Sequence, residues 1–251
     1  MKRIVLLFTS SLFAAAAFAQ TQPPAPSVTN PPKKKKDWSK VNLNNRAGDH
    51  LLVQIGYDGW AQRPDSIHTK GFSRSLNIYL MYDFPFKTDP RFSVGVGAGI
   101  GSSSIFFDQQ EVNVAGLSGS LAFPDKSKTD HFKKYKLVST YLEAPVELRF
   151  AADPEHIDKS WKGALGIKVG TLLNIHTKGK NLQSTTGNSN SGYIRKESNK
   201  RYFNSTKLAA TGRIGYGHIS LFGQFQFNNY IKDGLGPNVH PYSIGITFSG
   251  L

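Results

Sequence analysis

The stretch FSVGVGAGIG at positions 92–101 decides the fold class. Every second residue is apolar, from Phe92 to Ile100, and the residues between them are serine or glycine. A period of two is the period of a β-strand, because successive side chains of a strand point to opposite faces. The stretch also suits a tilted strand that crosses a bilayer, which needs roughly 9–11 residues. It therefore predicts a strand with one apolar face and one small polar face.

The same alternation recurs along the rest of the chain. The other alternating segments are 51–58, 72–84, 141–150, 161–175, 207–216, 219–228 and 242–249. Long and short connections between the segments take turns, which is typical of outer-membrane barrels with long loops outside the cell and short periplasmic turns. We therefore predict an all-β fold: a single closed antiparallel up-and-down transmembrane β-barrel of about eight strands with a filled polar interior.

The apolar faces of these segments favour lipid, rather than a soluble core, as their surroundings. They are nearly free of charge, with Arg74 as the main exception. An outward Arg or Lys at mid-membrane costs about 2–4 kcal/mol. Aromatic residues gather at both ends of the segments, which predicts two interfacial belts. The predicted periplasmic belt comprises Phe84, Phe86, Phe92, Phe150, Trp161, Tyr216 and Phe248. The predicted outer belt comprises Trp60, Phe72, Tyr202, Phe203, Tyr230 and Tyr242.

The N-terminal region predicts export and a tether. Residues 1–19 combine Lys2 and Arg3, an apolar run and a small-x-small cleavage motif, as a signal peptide does. Residues 20–46 are rich in Pro and Lys and predict a disordered periplasmic tether, so that the barrel would occupy residues 47–251. The formal net charge is +14. An exported protein does not meet cytoplasmic nucleic acid, so this charge favours an anionic membrane surface as its partner.

Charged residues of both signs occupy the inward phase of the segments. Unpaired charges are too costly in a closed interior, so we predict a structural ion-pair network in the lumen. Its predicted members are Asp58, Asp83, Glu143, Glu147, Arg149, Lys168 and Arg213.

The register and the glycines of the third segment suggest how this interior is packed. Pairing Phe150 with Trp161 across the turn between them would place Glu143 directly opposite Lys168. The glycines at alternate positions of 95–101 leave space for large inward groups from across the barrel. The groups expected to fill this space are Tyr79, Tyr141 and Phe222.

Two of the predicted outer loops are strongly basic, at 108–133 and 177–200. The second has a Ser-, Thr-, Asn- and Gly-rich centre that predicts a mobile loop. Basic side chains at the outer leaflet bind lipopolysaccharide phosphates through charge-assisted hydrogen bonds, with plain solvation of the loop as the alternative. The residues predicted for this contact are Lys178, Lys180, Lys196 and Lys200.

Six segments resemble the PorT-like outer-membrane β-barrel proteins of the Bacteroidetes, and the resemblance covers about residues 46–251. The segments are Gly71–Ser73, Tyr79–Phe86, Phe92–Ile100, Tyr141–Phe150, Gly166–Leu172 and Pro241–Leu251. The Leu-Glu-x-Pro element that starts at Leu142 is the most distinctive of these motifs. The resemblance implies an outer-membrane barrel and a role beside the type IX secretion machinery. The usual C-terminal aromatic residue is replaced by Leu251, with Phe248 three residues earlier.

The predicted function is a non-enzymatic envelope role: structural, adhesive or accessory to a secretion complex. The expected partners are outer-membrane lipid and lipopolysaccharide, with other envelope or secretion proteins as further candidates, and the barrel is expected to be a monomer. No cofactor or metal site is predicted, because the histidines lack ligand spacing and the Gly-x-Gly run precedes no helix. One alternative is an enzyme acting on lipid or peptide at the outer rim, through His176 near Ser184 or through His240. The other is a narrow gated pore.

Overall fold

The computed structural model describes residues 50–186 and 190–250. The predicted signal peptide, residues 1–19, and the predicted tether, residues 20–46, lie outside the described residues. In the described part of the chain, no helix is both long and apolar enough to cross a membrane.

Strands dominate the described residues. They are β1 (Leu51–Ala61), β2 (Arg74–Pro85), β3 (Phe92–Phe107), β4 (His131–Ala151), β5 (Trp161–Gln183), β6 (Asn190–Ser198), β7 (Thr206–Tyr216), β8 (Ile219–Gln226) and β9 (His240–Ser249). A single 3₁₀ turn at Ile157–Lys159 lies in the connection between β4 and β5. Each strand except β6 lies in a segment whose alternating pattern predicted it, although β3, β4 and β5 extend further than expected.

Eight of these strands close into a ring of antiparallel neighbours. The order β4-β3-β2-β1-β9-β8-β7-β5 is completed by pairing of β4 with β5. β1 pairs with β9 from Leu52 opposite Ser249 to Ala61 opposite His240, so the two terminal strands seal the wall. The predicted eight-stranded, closed antiparallel barrel is confirmed.

The two faces of the wall differ as the alternation predicts. In β2, Leu80 on the outward face is 64% exposed, whereas its neighbour Tyr79 on the inward face is 1% exposed. Leu165 on the outward face of β5 is 73% exposed. The short connections 86–91, 152–160 and 217–218 share one end of the barrel, here called the turn end. The long connections share the other end, here called the loop end.

The belt predicted at the turn end is present on the outward face. Phe92 and Phe150 lie with ring centroids 5.2 Å apart, and Trp161 and Tyr216 lie 5.9 Å apart. The exposed aromatic residues of this belt are Phe84, Phe86, Phe92, Phe150, Trp161 and Tyr216. Such rings suit the boundary between acyl chains and headgroups.

The belt predicted at the loop end is wrong for four of its six members. Trp60, Tyr202, Phe203 and Tyr230 are at most 8% exposed and belong to an apolar core that covers the mouth of the barrel. Trp60 takes an inward position of β1, and the other three lie in connections that fold back over the mouth. Of the other two members, Phe72 is 65% exposed and Tyr242 is half-buried. We call this covering layer the loop cap.

The loop cap has a core of its own, continuous with the inward faces of β3, β4 and β5 beyond the membrane-spanning part. The long connection between β3 and β4 contributes Val112, Val114 and Leu121, each at most 4% exposed. Tyr202 ties two connections together, because its hydroxyl donates hydrogen bonds to the carbonyls of Gly116 and Ser118. The cap is therefore a folded layer rather than a set of separate loops.

A β-bulge changes the facing of β5 and corrects one expectation. Thr140 pairs with Asn174 whereas Tyr141 pairs with Leu172, so Leu173 is the extra residue. Past a bulge the inward and outward positions exchange. Ile175, expected on the apolar outer face with Leu173, therefore points inward and is 0% exposed in the core of the loop cap.

The segment 177–200, expected to be a loop with a mobile centre, is mostly a β-hairpin. β5 continues to Gln183, and β6 pairs back on it from Asn190 opposite Leu182 to Ser198 opposite His176. β6 pairs with β5 alone, so it lies outside the ring and leaves one free strand edge. The sequence of β6 shows no clear alternation, because polar and charged residues occupy most positions on both of its faces.

Candidate functional site

The first layer of charge in the barrel interior is centred on Glu143. Lys207 Nζ lies 2.7 Å from Glu143 Oε1, and the Tyr79 hydroxyl donates a 2.5 Å hydrogen bond to Glu143 Oε2. Lys168 Nζ in turn donates to the Tyr79 hydroxyl at 3.0 Å and to the amide oxygens of Gln54 and Gln224. Glu143 and Lys168 are each 1% exposed, so this layer is sealed from solvent.

A second layer lies nearer the turn end and is centred on Glu147. Arg213 Nη2 and Arg149 Nε both lie 3.1 Å from Glu147 Oε2. Arg149 also reaches Asp83 with its Nη1 at 3.5 Å, and Ser93 donates to Asp83 at 2.7 Å. Two guanidinium groups thus share two carboxylates across β2, β4 and β7. Planar donors of this kind satisfy several carboxylate oxygens at once.

Asp58 lies apart from both layers, near the loop end. Its carboxylate accepts hydrogen bonds from the hydroxyls of Ser103 and Ser243, the second at 2.5 Å. The structure therefore brings six of the seven predicted lumen residues into two bonded layers and gives Asp58 hydroxyl partners. Lys207 and Tyr79 complete the network, and both have the inward phase of their strands; sequence analysis expected Tyr79 only as a group that fills space.

The register that was expected to face Glu143 with Lys168 is wrong. Phe150 pairs with Gly163 rather than with Trp161, so Glu143 lies opposite Gly170 and Lys168 lies opposite Pro145. The ladder ends at Ala151 opposite Lys162, and the 3₁₀ turn takes up the remaining connection. The Tyr79 hydroxyl bridges the two charged residues instead.

The glycines of β3 are covered by neighbouring strands and not from across the barrel. A Cβ at Gly99 would lie 2.5 Å from Cδ1 of Tyr79, and one at Gly101 would lie 2.6 Å from Oε1 of Glu143. Met81 and Arg149 occupy the corresponding positions over Gly97 and Gly95. The expected fillers Tyr141 and Phe222 lie elsewhere in the interior, with the Phe222 ring against Gly56. The glycines of β3 thus form the surface against which side chains of the charged layers pack.

Little free volume is left around these layers. A cavity beside Asp83, Arg149 and Arg213 and another beside Asp58 and Lys207 each measure about 20 Å³. A volume of this size holds about one water molecule. The arrangement can therefore fill and rigidify the barrel, and it provides no space for a small-molecule substrate in either place.

The residues considered for catalysis do not combine. The His176 ring accepts or donates a hydrogen bond with Asn174, Ser184 bonds to Thr186, and His240 bonds to a main-chain carbonyl and stacks on Phe225. A nucleophile needs a base within hydrogen-bond reach. In residues 50–186 and 190–250 these three groups offer no such pair.

One group of potential metal ligands was not anticipated. Asp153, Glu155 and His156 present ligand atoms within 4.8 Å of one another in the connection between β4 and β5. Asp153 and His156 already bond to each other at 3.3 Å, and both are solvent-accessible. Exposed acidic groups cluster in many turns without binding an ion.

The four lysines predicted to contact lipopolysaccharide are divided by the fold. Lys178, Lys180 and Lys196 share the outward face of the β5–β6 hairpin, where Lys178 pairs directly with Lys196. Lys200 lies beyond β6 and its ammonium reaches the carbonyl of Leu172 at 3.4 Å. The structure adds Lys134 and Lys136 of β4 to the outward group, opposite Lys180 and Lys178 respectively.

A closed ring of eight strands with an apolar outward face, an aromatic belt and a charged interior defines a transmembrane β-barrel. Residues 18–239 match the family described as outer membrane protein beta-barrel domain, so the chain belongs to this outer-membrane β-barrel family. Its location is accordingly the outer membrane. No curated protein matches the chain.

Solved structures similar to the chain include two of one bacterial protein. The crystal structure of Ail, the attachment invasion locus protein of Yersinia pestis, is 14% identical with a TM-score of 0.33. The backbone structure of the Yersinia pestis outer membrane protein Ail in a phospholipid bilayer nanodisc is 17% identical with a TM-score of 0.31. Each similarity covers 80% of this chain and 99% of the other.

Proposed function

We propose that this chain is an exported outer-membrane protein with a non-enzymatic envelope role, in which a sealed barrel anchors the loop cap for contact with other envelope or secretion proteins. The observation that carries this proposal is the filled lumen. Within each of the two charge layers, side chains from different strands bond to one another across the interior. The glycines beside them are already in contact with these side chains, so no open path remains there.

A filled lumen argues against the narrow gated pore. Opening a path would require separating Glu143 from Lys207 or Glu147 from Arg213, and each separation leaves a buried charge without its partner. Breaking a buried pair in this way costs about 3–5 kcal/mol. Eight strands enclose an interior that side chains can fill completely. The work of the protein is therefore assigned to its surfaces.

The loop cap is the surface best suited to a partner. Its packed core holds the connections in one conformation, so a partner would not have to order them on binding. Leu117, 91% exposed, stands out from the cap beside residues that hydrogen bond to Tyr202. An exposed leucine on an ordered support suits a protein contact, adhesive or within a complex.

The resemblance to PorT-like proteins of the Bacteroidetes supports a place beside a secretion complex within this role. The predicted signal peptide supports export. β1 begins and β9 ends at the turn end, so both termini of the barrel lie on one side. With that side in the periplasm, the loop cap faces outward from the cell. Outer-membrane barrels share this asymmetry of long and short connections.

Site-specific photo-crosslinking in intact cells tests the proposal. A photo-reactive amino acid replaces Leu117 in the cap or, as the matched control, Lys159 in the turn between β4 and β5. The expected result is a discrete protein adduct from the cap position that co-purifies with the outer membrane. The absence of a protein adduct from the cap would overturn the partner role. Single-channel conductance of the reconstituted protein, or lipase, deacylase or protease activity in a substrate panel, would overturn the sealed, non-enzymatic anchor.

A further inference from the structure

The outward face of the wall at the loop end carries an unusual line of charge. Phe106 of β3 pairs with Lys136 of β4, Lys136 pairs with Lys178 of β5, and Lys178 pairs with Lys196 of β6. Three lysines from three adjacent strands thus stand side by side on one face. We call Lys136, Lys178 and Lys196 the basic row.

The next rung repeats the pattern. Lys134 of β4 pairs directly with Lys180 of β5. On the other side, Arg74 and Lys136 both lie over the Phe106 ring, at 5.5 and 5.6 Å from its centroid. Side chains directly opposite each other in a sheet have Cβ atoms about 4.5–5.5 Å apart, and like charges in that relation are destabilising. The positive charges on this face therefore repel one another and destabilise the fold.

No carboxylate in the described ranges forms an ion pair with any member of the basic row. Acidic residues nearby are engaged elsewhere: Glu111 and Glu197 pair with Arg195 on the opposite face of β6, and Asp108 pairs with Lys70 at 2.9 Å. Partial burial and the positive charges of Arg74, Lys178 and Lys180 lower the pKa of Lys136. No carboxylate of the described ranges therefore offsets the repulsion between the ammonium groups of the basic row.

The depth of the row fits the headgroup layer of a membrane. The exposed apolar residues of β4 run from Phe150 to Leu142, and Lys136 lies six residues beyond Leu142 toward the loop end, on the same outward face. Six residues of a strand tilted by about 40° rise roughly 15 Å. On β5 the last exposed apolar residue is Leu173, five residues before Lys178. The apolar band is about 25 Å tall, so the row stands just above the acyl chains, within reach of long lysine side chains.

An open groove with apolar walls adjoins the row on the side of β2 and β3. It measures about 450 Å³ and is lined by Phe72, Phe106, Arg74, Lys70 and Lys134, among others. Phe72 is 65% exposed at its rim. Aromatic rings beside cations suit an amphiphile that carries acyl chains below and an anionic group above. A soluble anion would contact only the cations and would leave the aromatic rings of the groove without a partner. A soluble acidic protein would not require the cations to lie at the depth of the lipid headgroups.

We infer that the basic row and the adjoining groove bind a phosphorylated glycolipid of the outer leaflet, with the phosphate groups of lipid A on Lys136, Lys178 and Lys196. Arg74, Lys134 and Lys180 flank the phosphates, and Phe72 and Phe106 contact the first carbons of an acyl chain. This inference rests on the proposed orientation, in which the loop cap faces outward. It also revises the predicted contact: Lys178, Lys180 and Lys196 remain, Lys136 and Lys134 join, and Lys200 is left out.

The test compares two triple variants of the full chain in phospholipid nanodiscs that contain bis-phosphorylated lipid A. The row variant is K136Q/K178Q/K196Q, and the matched control is K126Q/K128Q/K232Q, which removes the same charge from connections of the loop cap. Lysine at an anionic membrane surface contributes roughly five-fold in affinity, so the row variant should bind lipid A about a hundred-fold more weakly. The control should bind like the wild type, and fully dephosphorylated lipid A should bind all three proteins equally weakly.

Thermal stability gives a second readout that is independent of the measured lipid A affinities. Without lipid A the row variant should melt at a higher temperature than the wild type, because a repulsion is removed. With lipid A only the wild type and the control should be stabilised. Equal affinity of wild type and row variant would overturn the inference, and so would equal wild-type affinity for phosphorylated and dephosphorylated lipid A. Tighter capture of an acidic protein than of lipid A would assign the row to a protein partner instead. Insertion into the outer membrane is measured separately, by heat-modifiable gel mobility. Failure of lipid A binding and failure of the proposed function can therefore be told apart.

Discussion

Lys207 Nζ and Glu143 Oε1 lie 2.7 Å apart inside a wall where the glutamate is 1% exposed. The two residues come from β4 and β7, which are separated in the ring by β5. Their contact therefore crosses the interior above β5 and is made possible by Gly170, which lies between them with its Cβ position close to both side chains. The pair links non-adjacent strands where backbone hydrogen bonds cannot.

The first prediction follows from this pair. Glu143→Ala leaves Lys207 and Lys168 buried without their carboxylate, and the free energy of unfolding in lipid vesicles should fall by about 3–5 kcal/mol. Urea titration followed by tryptophan fluorescence measures the loss. Asp89→Ala, which breaks an exposed pair with Arg91, is the control and should change stability little. A double change of Glu143 and Lys207 to methionine should be milder than Glu143→Ala, and a harmless single variant would contradict the network.

The second prediction concerns Gly99, the glycine of β3 against which the Tyr79 ring packs. A Cβ at Gly99 would approach the Ile78 carbonyl oxygen to 2.1 Å and the Tyr79 ring to 2.5 Å. Gly99→Ala should therefore displace Tyr79 from Glu143 and destabilise the barrel by about 1–3 kcal/mol. Gly119→Ala, in a cap connection with no atom within 4 Å of the added Cβ, is the matched control. Equal melting temperatures for the two variants would disprove close packing at this point.

The third prediction tests which side of the wall meets lipid. Leu165 on β5 and Leu117 in the loop cap are exposed leucines, at 73% and 91%. Leu165→Arg places a charge among acyl chains and should reduce the stability in vesicles by about 2–4 kcal/mol, whereas Leu117→Arg should be close to neutral. Refolding yield at increasing urea measures both. If the two substitutions were equally tolerated, the outward face of β5 would not be in contact with hydrocarbon.

The fourth prediction concerns pH. Partial burial and the charges of Lys196, Lys136 and Lys178 lower the pKa of His176 below its ordinary value. The unfolded chain then binds a proton at a higher pH than the folded one, so acidification below about pH 6.5 should reduce stability through this residue. The melting temperature should fall less between pH 7.5 and 5.5 in His176→Gln than in the wild type. An unchanged difference in His176→Gln would refute the prediction.

The fold was predictable because lipid imposes a simple rule on each strand. In 92–100 and 76–84 every outward position is apolar, so local alternation is enough to recognise the strands. The bulge at Leu173 was not predictable, because it exchanges the faces of β5 through one extra residue whose sequence continues to look regular. β6 was missed because its sequence lacks a clear alternation, and its pairing to β5 outweighs a composition typical of loops.

The candidate sites were predictable only in part. Charged inward residues could be identified from their phase, but partners depend on a register that a shift of two residues at Phe150 was enough to change. Trp60, Tyr202, Phe203 and Tyr230 were assigned to an interfacial belt, since aromatic residues near strand ends serve equally well at an interface or in a cap. The basic row emerged only when pairing aligned lysines 42 and 18 residues apart.

The free edge of β6 has a consequence for self-association of the protein. Barrel closure removes strand edges from the membrane, but this hairpin offers unpaired main-chain groups to any strand that approaches it. Arg195, Lys196 and Glu197 near the C-terminal end of the edge strand disfavour such pairing, because charged side chains on an edge strand oppose the approach of a second strand. Neutralising those side chains should therefore promote edge-to-edge self-association.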